Sequence, residues 1–272
     1  MNMKALIKKL FRRELVIQAN IANIGMNERL QGKNVVITGG SSGIGLAIAK
    51  AAYNAGANVL IIGRNETKIK KTLEDYGDRI HGVICDITNC EKVEKLYDVA
   101  SQALGGDIDV LVNAAGVISD SCIKADFLSV TESEFDYVLN TNIKGMFFVT
   151  QTFIREFLKQ KSSRHHILNI CSTEGMKGVL VPYGISKWGT VGFTKGIAKK
   201  YAKEGIIING IAPGGTASGM LKKINSDNLK YPVASGRASI PAEIGELAVY
   251  MVSNLADNMV GSIVVYDGGE AL

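Results

Sequence analysis

The chain has 272 residues, of which 46% are hydrophobic and 21% charged, with a formal net charge of +5. That length buries a full α/β core in one domain, and no apolar run approaches a membrane span or a signal-peptide core. Four cysteines (Cys85, Cys90, Cys122, Cys171) lack C-x-x-C spacing and the histidines number three, so no metal site is expected and free thiols in a reducing, cytoplasmic setting are.

Residues 1–30 are expected to form a basic amphipathic extension, separate from a domain over 31–272. Read as a helix, they place Met3, Leu6, Ile7, Leu10, Ile17, Ile21 and Ile24 on one face and Lys4, Lys8, Lys9, Arg12 and Arg13 on the other. Such a helix suits peripheral contact with an anionic membrane, or packing on its own domain or a neighbouring subunit. The remainder has no basic stripe with interleaved aromatics, so nucleic acid is not an expected partner.

From residue 33 short β-branched runs alternate with longer helical patterns. Strands are predicted over 34–38, 58–63, 80–85, 109–113, 166–171, 206–211 and 262–266, and helices over 43–55, 66–76, 90–104, 132–160, 182–203 and 240–255. The alternation predicts βαβ units and a parallel sheet covered on both faces. Between the first strand and helix lies Thr38-Gly39-Gly40-Ser41-Ser42-Gly43-Ile44-Gly45. Small residues in a strand-to-helix turn let phosphates approach the backbone, where free N–H groups and the helix dipole meet the anion. Steric demands of the turn alone also call for glycine.

Further on stands Tyr183-Gly184-Ile185-Ser186-Lys187. Tyr183 and Lys187 share a helix face one turn apart. An ammonium beside a phenol favours the phenolate, so a lowered Tyr183 pKa and a general acid/base role are expected. An ordinary surface pair is the alternative.

With these motifs the chain resembles the short-chain dehydrogenase/reductases, nearest their 3-oxoacyl-carrier-protein reductase-like members. Thr38–Gly45 resembles the family's TGxxxGIG turn and Asn113-Ala114-Ala115-Gly116 its NNAG element. Asn142 matches the asparagine of the N-x-x-G segment, Ser172 the catalytic serine, Pro213-Gly214 the turn beside the nicotinamide, and Val265-Tyr266-Asp267-Gly268-Gly269 the closing strand. The resemblance implies a single Rossmann-type doubly wound α/β domain with a seven-stranded parallel sheet and helices on both faces. It also implies a homotetramer or homodimer, and interconversion of a small-molecule carbonyl and a secondary alcohol by hydride transfer.

By the same resemblance Tyr183 moves the proton and Lys187 depresses its pKa and holds the nicotinamide ribose. Ser172 hydrogen-bonds the substrate oxygen, and Asn142 positions a water behind Lys187. The implied cofactor-binding set is Gly39, Ser41, Ser42, Gly43, Ile44, Gly45, Arg64, Asp86, Ile87, Asn113, Ala114, Gly116, Tyr183, Lys187, Pro213, Gly214 and Thr216. Relatives that prefer NAD(H) place an acid at the position of Gly63. Its absence and the following Arg64, which can pair with a 2′-phosphate, favour NADP(H), with NAD(H) as the alternative and a solvated Arg64 as the bland reading. Asp86 is matched to the adenine amino group or, more simply, to a helix cap.

Tyr183 follows Ser172 by eleven positions with Pro182 before it, a short gap for the family that reshapes the substrate pocket. The segment Thr216–Arg237 resembles the family's flap, and its Lys222, Lys223 and Lys230 suit an anionic substrate or simply a solvated surface. Two other functions remain open: reduction of sugar or glycan precursors at a membrane surface, and a non-catalytic NADP(H)-binding sensor.

Overall fold

The computed structural model describes residues 25, 28–160, 164–220 and 229–272. Most of the predicted N-terminal extension, with Lys222 and Lys223, lies outside the described residues. Leu30 is described and is fully buried, its N–H bonded to the Ala55 carbonyl at 2.9 Å.

Among the described residues seven strands form one parallel sheet in the order β3-β2-β1-β4-β5-β6-β7. They are β1 (Asn34–Thr38), β2 (Asn58–Gly63), β3 (Ile80–Ile84), β4 (Val110–Asn113), β5 (His165–Ile170), β6 (Ile206–Pro213) and β7 (Ile263–Tyr266). The predicted doubly wound α/β fold is the one observed. Both faces of the central strands are apolar because both are covered. Val35, Ile37, Val59 and Ile61 join one core with helices α1 (Gly43–Asn54) and α9 (Pro241–Met251). Val36, Leu60, Ile62 and Leu111 join a second core. There they meet Phe153 and Phe157 of α7 (Met146–Phe157) and Tyr97 of α4 (Leu96–Leu104). Strand order reverses between β1 and β4, and the crevice beyond the carboxyl ends there is where such sheets bind ligands.

Several boundaries differ from the sequence reading. The predicted helix 90–104 is two helices, α3 (Cys90–Glu94) and α4, with Lys95 between them. The predicted helix 132–160 is α6 (Glu132–Leu139), a π-helical segment Asn140–Gly145, and α7. A short α5 (Asp120–Lys124), capped by the Ser119 side chain, had no counterpart in the sequence reading. The remaining long elements are α2 (Glu66–Tyr76) and α8 (Pro182–Tyr201). No helix among the described residues is long and apolar enough to cross a membrane.

Candidate active site

The glycine turn fits a phosphate cradle sterically. Gly39 has φ +69°, and a Cβ on it would stand 2.7 Å from the Ala115 Cα, while a Cβ on Gly45 would strike the Gly39 carbonyl oxygen. Only glycine lets these three backbone segments close on one another. Ser42 occupies the N-cap of α1 in extended conformation, yet its side chain makes no cap hydrogen bond. The first N–H groups of α1 are thus without a side-chain cap, and an anion can take that place.

A cavity of about 190 Å³ opens beside this turn, lined by residues that include Gly39, Ser41, Ser42, Arg64, Asp86 and Gly116. Lys68 and Asn65 also line it, and the sequence reading did not single them out. Asn65 caps α2 by accepting from the Lys68 N–H at 2.9 Å, so Lys68 lies one turn beyond Arg64. A basic residue four positions after Arg64 was the available signal. Arg64 and Asp86 are 3.7 Å apart and both about half exposed, a loose pair. Asp86 does not cap α3, a place taken by Asn89. Instead Asp86 accepts from the Thr88 N–H and hydroxyl, each at 2.9 Å. Burial pushes the Asp86 carboxyl up, but those bonds and Arg64 outweigh it and hold it below the usual carboxylate range.

Asn113 is the last residue of β4 and is buried. Its side chain turns into the core, donating to Thr150 Oγ1 and Asn169 Oδ1, each at 2.9 Å. Burial inside the sheet commits it to joining β4, β5 and α7, so the cleft wall falls to Ala115, Gly116 and Val117.

At the other end of the crevice the four predicted catalytic residues converge. Pro182 starts α8, which puts Tyr183 in its first turn and Lys187 one turn on. Lys187 is buried, donates from Nζ to the Ile170 carbonyl at 2.9 Å, and lies 5.7 Å from the Tyr183 ring centroid. A Cβ on Gly116 would stand 3.8 Å from Lys187 Nζ and 3.5 Å from Asn142 Oδ1, so the β4 loop borders both side chains. Ser172 sits in extended backbone at the end of β5 and accepts from the Glu174 N–H at 3.2 Å.

The expected lowering of the Tyr183 pKa is not what the site shows. Burial pushes the phenol up to about 12, against a hydrogen bond from Ser172 that pulls it down; Glu174 and Cys122 add to the rise. The physical reason is desolvation of the phenolate. Burial likewise lowers the Lys187 pKa.

Asn142 is buried and its side chain is held by protein partners. It lies in the π-helical segment, where Oδ1 accepts from the Val117 N–H at 2.8 Å and Nδ2 donates to the Val117 carbonyl and to Ser186 Oγ, each at 3.0 Å. Both amide protons are engaged. Ser186 in turn donates to the Tyr183 carbonyl at 2.6 Å, so Asn142 acts on Tyr183 through Ser186. The sequence reading missed Ser186, together with Thr190 and Thr194 which continue this polar face of α8. Their i, i+4 spacing was the signal. Ser186→Ala removes a fully buried bridge and is expected to destabilise the fold by about 1–2 kcal/mol, read from denaturant midpoints.

Pro213 ends β6, and Gly214 donates its N–H to the Tyr266 carbonyl at 3.1 Å. The buried Thr216 donates to the Gly214 carbonyl at 3.0 Å. Ile44 packs from α1 onto the first core, Ile87 is buried in the second, and Ala114 packs against the first.

A doubly wound sheet, a glycine cradle at its switch point and a Ser-Tyr-Lys cluster at the strand ends define a dinucleotide-dependent oxidoreductase. The family model for short chain dehydrogenases matches residues 33–229. The chain is 33% identical to the 3-oxoacyl-(acyl-carrier-protein) reductase FabG of Aquifex aeolicus, covering 90% of this chain and 99% of that protein. It is 34% identical to an acetoacetyl-CoA reductase of an Acinetobacter species, covering 87% and 97%. It is 32% identical to the oxidoreductase UcpA of Salmonella typhimurium, covering 90% and 96%. The chain belongs to the short-chain dehydrogenase/reductase family and is an oxidoreductase acting between CH–OH and carbonyl groups with a nicotinamide cofactor.

Proposed function

We propose that the protein is an NADP(H)-dependent ketone reductase in which Tyr183 is the proton donor, and that residues 31–272 are its catalytic domain. The observation that carries this reading is the convergence of Ser172, Tyr183 and Lys187 beside the loop that closes the glycine cradle. Gly39, Ser41, Ser42, Gly43, Ile44 and Gly45 would hold the pyrophosphate, Arg64 and Lys68 the adenosine end with its 2′-phosphate. Lys187, Gly116, Pro213, Gly214 and Thr216 would border the nicotinamide end. When bound, the cofactor supplies the hydride for the carbonyl carbon. Ser172 and Tyr183 orient the carbonyl oxygen, and the Tyr183 O–H gives it a proton as negative charge develops there. Lys187 places a positive charge behind the phenol, and Asn142 with Ser186 fixes the first turn of α8. A phenol that keeps its proton to high pH suits reduction, the direction in which two of the relatives are named.

The test is NADPH and NADH oxidation by the purified chain against ketones, 3-oxoacyl thioesters and keto-sugars. NADPH-dependent turnover is expected. Tight NADPH binding without turnover of any carbonyl would overturn the assignment in favour of a sensor.

A further inference from the structure

The loop between Ser172 and Tyr183 is held firmly against α8. A Cβ on its Gly175 would stand 2.5 Å from the Lys187 carbonyl oxygen, and the Trp188 indole N–H donates to the Lys177 carbonyl at 2.7 Å. The anchored loop carries two charged side chains, Glu174 and Lys177. Glu174, whose N–H bonds Ser172 Oγ, pairs through its carboxylate with Lys177 at 2.8 Å. Lys177 also lies 3.5 Å from Glu270, and Glu270 accepts from the Gly215 N–H at 3.2 Å. A carboxylate–ammonium–carboxylate bridge therefore runs from the serine at the end of β5 to the turn after β6.

Tyr231 closes the same space. Its ring covers Gly215 so closely that a Cβ there would meet ring carbon Cε1 at 2.5 Å. Burial first, then the charge of Glu270, raises its pKa, with Lys177 and Glu174 also in range. The Glu174 carboxylate is also close enough for its charge to raise the Tyr183 pKa.

We propose that the Glu174–Lys177–Glu270 bridge and the Tyr231 hydroxyl form the subsite for the substituent beside the reacting carbonyl, and that this substituent is hydroxyl-bearing rather than a long alkyl chain. The proposal rests on the ketone-reductase reading above. A hydroxyl donates to either carboxylate and accepts from the ammonium, replacing the water it displaces. An alkyl chain strips water from three charged groups and returns nothing. A site built to hydrogen-bond its substrate discriminates strongly against the analogue that lacks the group.

The experiment measures kcat/KM with NADPH for a polyhydroxy ketone, an alkyl ketone of equal length, and short- and long-chain 3-oxoacyl thioesters. The polyhydroxy ketone is expected to exceed its alkyl counterpart at least about tenfold, and the long-chain thioester to fall below the short one. Glu174→Val, which keeps the N–H to Ser172, is expected to raise the alkyl substrates and lower the polyhydroxy one. Lys177→Gln is the second variant should Glu174→Val fold poorly, and it is expected to shrink the same preference. Better turnover of the alkyl ketone or the long-chain thioester by the unaltered enzyme overturns the subsite and leaves the reductase reading standing. Failure to oxidise NADPH with any carbonyl overturns that reading, and the subsite falls with it.

Discussion

Tyr183→Phe is expected to lower kcat by about a hundred- to ten-thousandfold, the range a positioned proton donor contributes, while NADPH affinity stays within about twofold. The substitution removes one hydroxyl and leaves the ring where it packs, against the cluster that contains Cys122, Val138 and Val181. The Lys187 bond to the Ile170 carbonyl and the Ser186 bond to the Tyr183 backbone do not use that hydroxyl. A loss in kcat with an unchanged cofactor titration separates proton transfer from folding and binding. Full activity in the phenylalanine variant would remove Tyr183 from the chemistry.

The pH dependence follows from the same group. With its pKa pushed up to about 12, chiefly by burial, Tyr183 holds its proton across the neutral range. With Tyr183 in its proposed role as proton donor, reduction uses the protonated phenol, so its rate is expected to stay flat with respect to this group until strongly alkaline pH and then fall. Oxidation of an alcohol needs the phenolate and is expected to rise with pH through that range. Opposite slopes in the two directions, lost in Tyr183→Phe, would mark the residue as the group that titrates.

The strands were legible because each is a short β-branched run, and βαβ alternation leaves few topologies for them. The glycine cradle and the Tyr183/Lys187 pair were legible because both are local: turn and helix spacing set their geometry. What escaped depends on partners distant in sequence. Asn113 stands at a strand end where a side chain can face the cleft or the core, and Thr150 and Asn169 decide for the core. The π-helical widening at Asn140–Gly145 is marked by no proline, and one glycine in a helical pattern does not predict it. It brings the segment against the β3–α3 loop, where a Cβ on Gly145 would stand 2.8 Å from Ile87 Cγ1. The direction of the Tyr183 shift was missed because spacing gives the neighbour's charge but not the depth of burial, and burial is the larger effect.

In the proposed NADP(H) reading, cofactor choice rests on the end of β2, and here the expected effect is a reversal of preference. Arg64 is half exposed and its contact with Asp86 is 3.7 Å long, so little holds it from turning onto a 2′-phosphate. A hydrogen bond to a charged group contributes about 1.5–3 kcal/mol. Arg64→Ala is therefore expected to weaken NADPH about ten- to a hundredfold and NADH less than about threefold. Lys68, on the same cavity wall, supplies a second charge, so the Arg64→Ala, Lys68→Ala pair should lose more than either alone. Gly63→Asp works from the opposite side. A Cβ at Gly63 would stand 2.9 Å from Ser41 Oγ, a rotatable hydroxyl that can move aside. The new carboxylate would repel a 2′-phosphate and accept from a free ribose hydroxyl. Combined with Arg64→Ala it is expected to leave an enzyme that binds NADH more tightly than NADPH, as measured by fluorescence titration. Equal losses for both cofactors on Arg64→Ala would mean that the arginine is a solvated loop residue, and NADP(H) preference would then have no support at this end of the cleft.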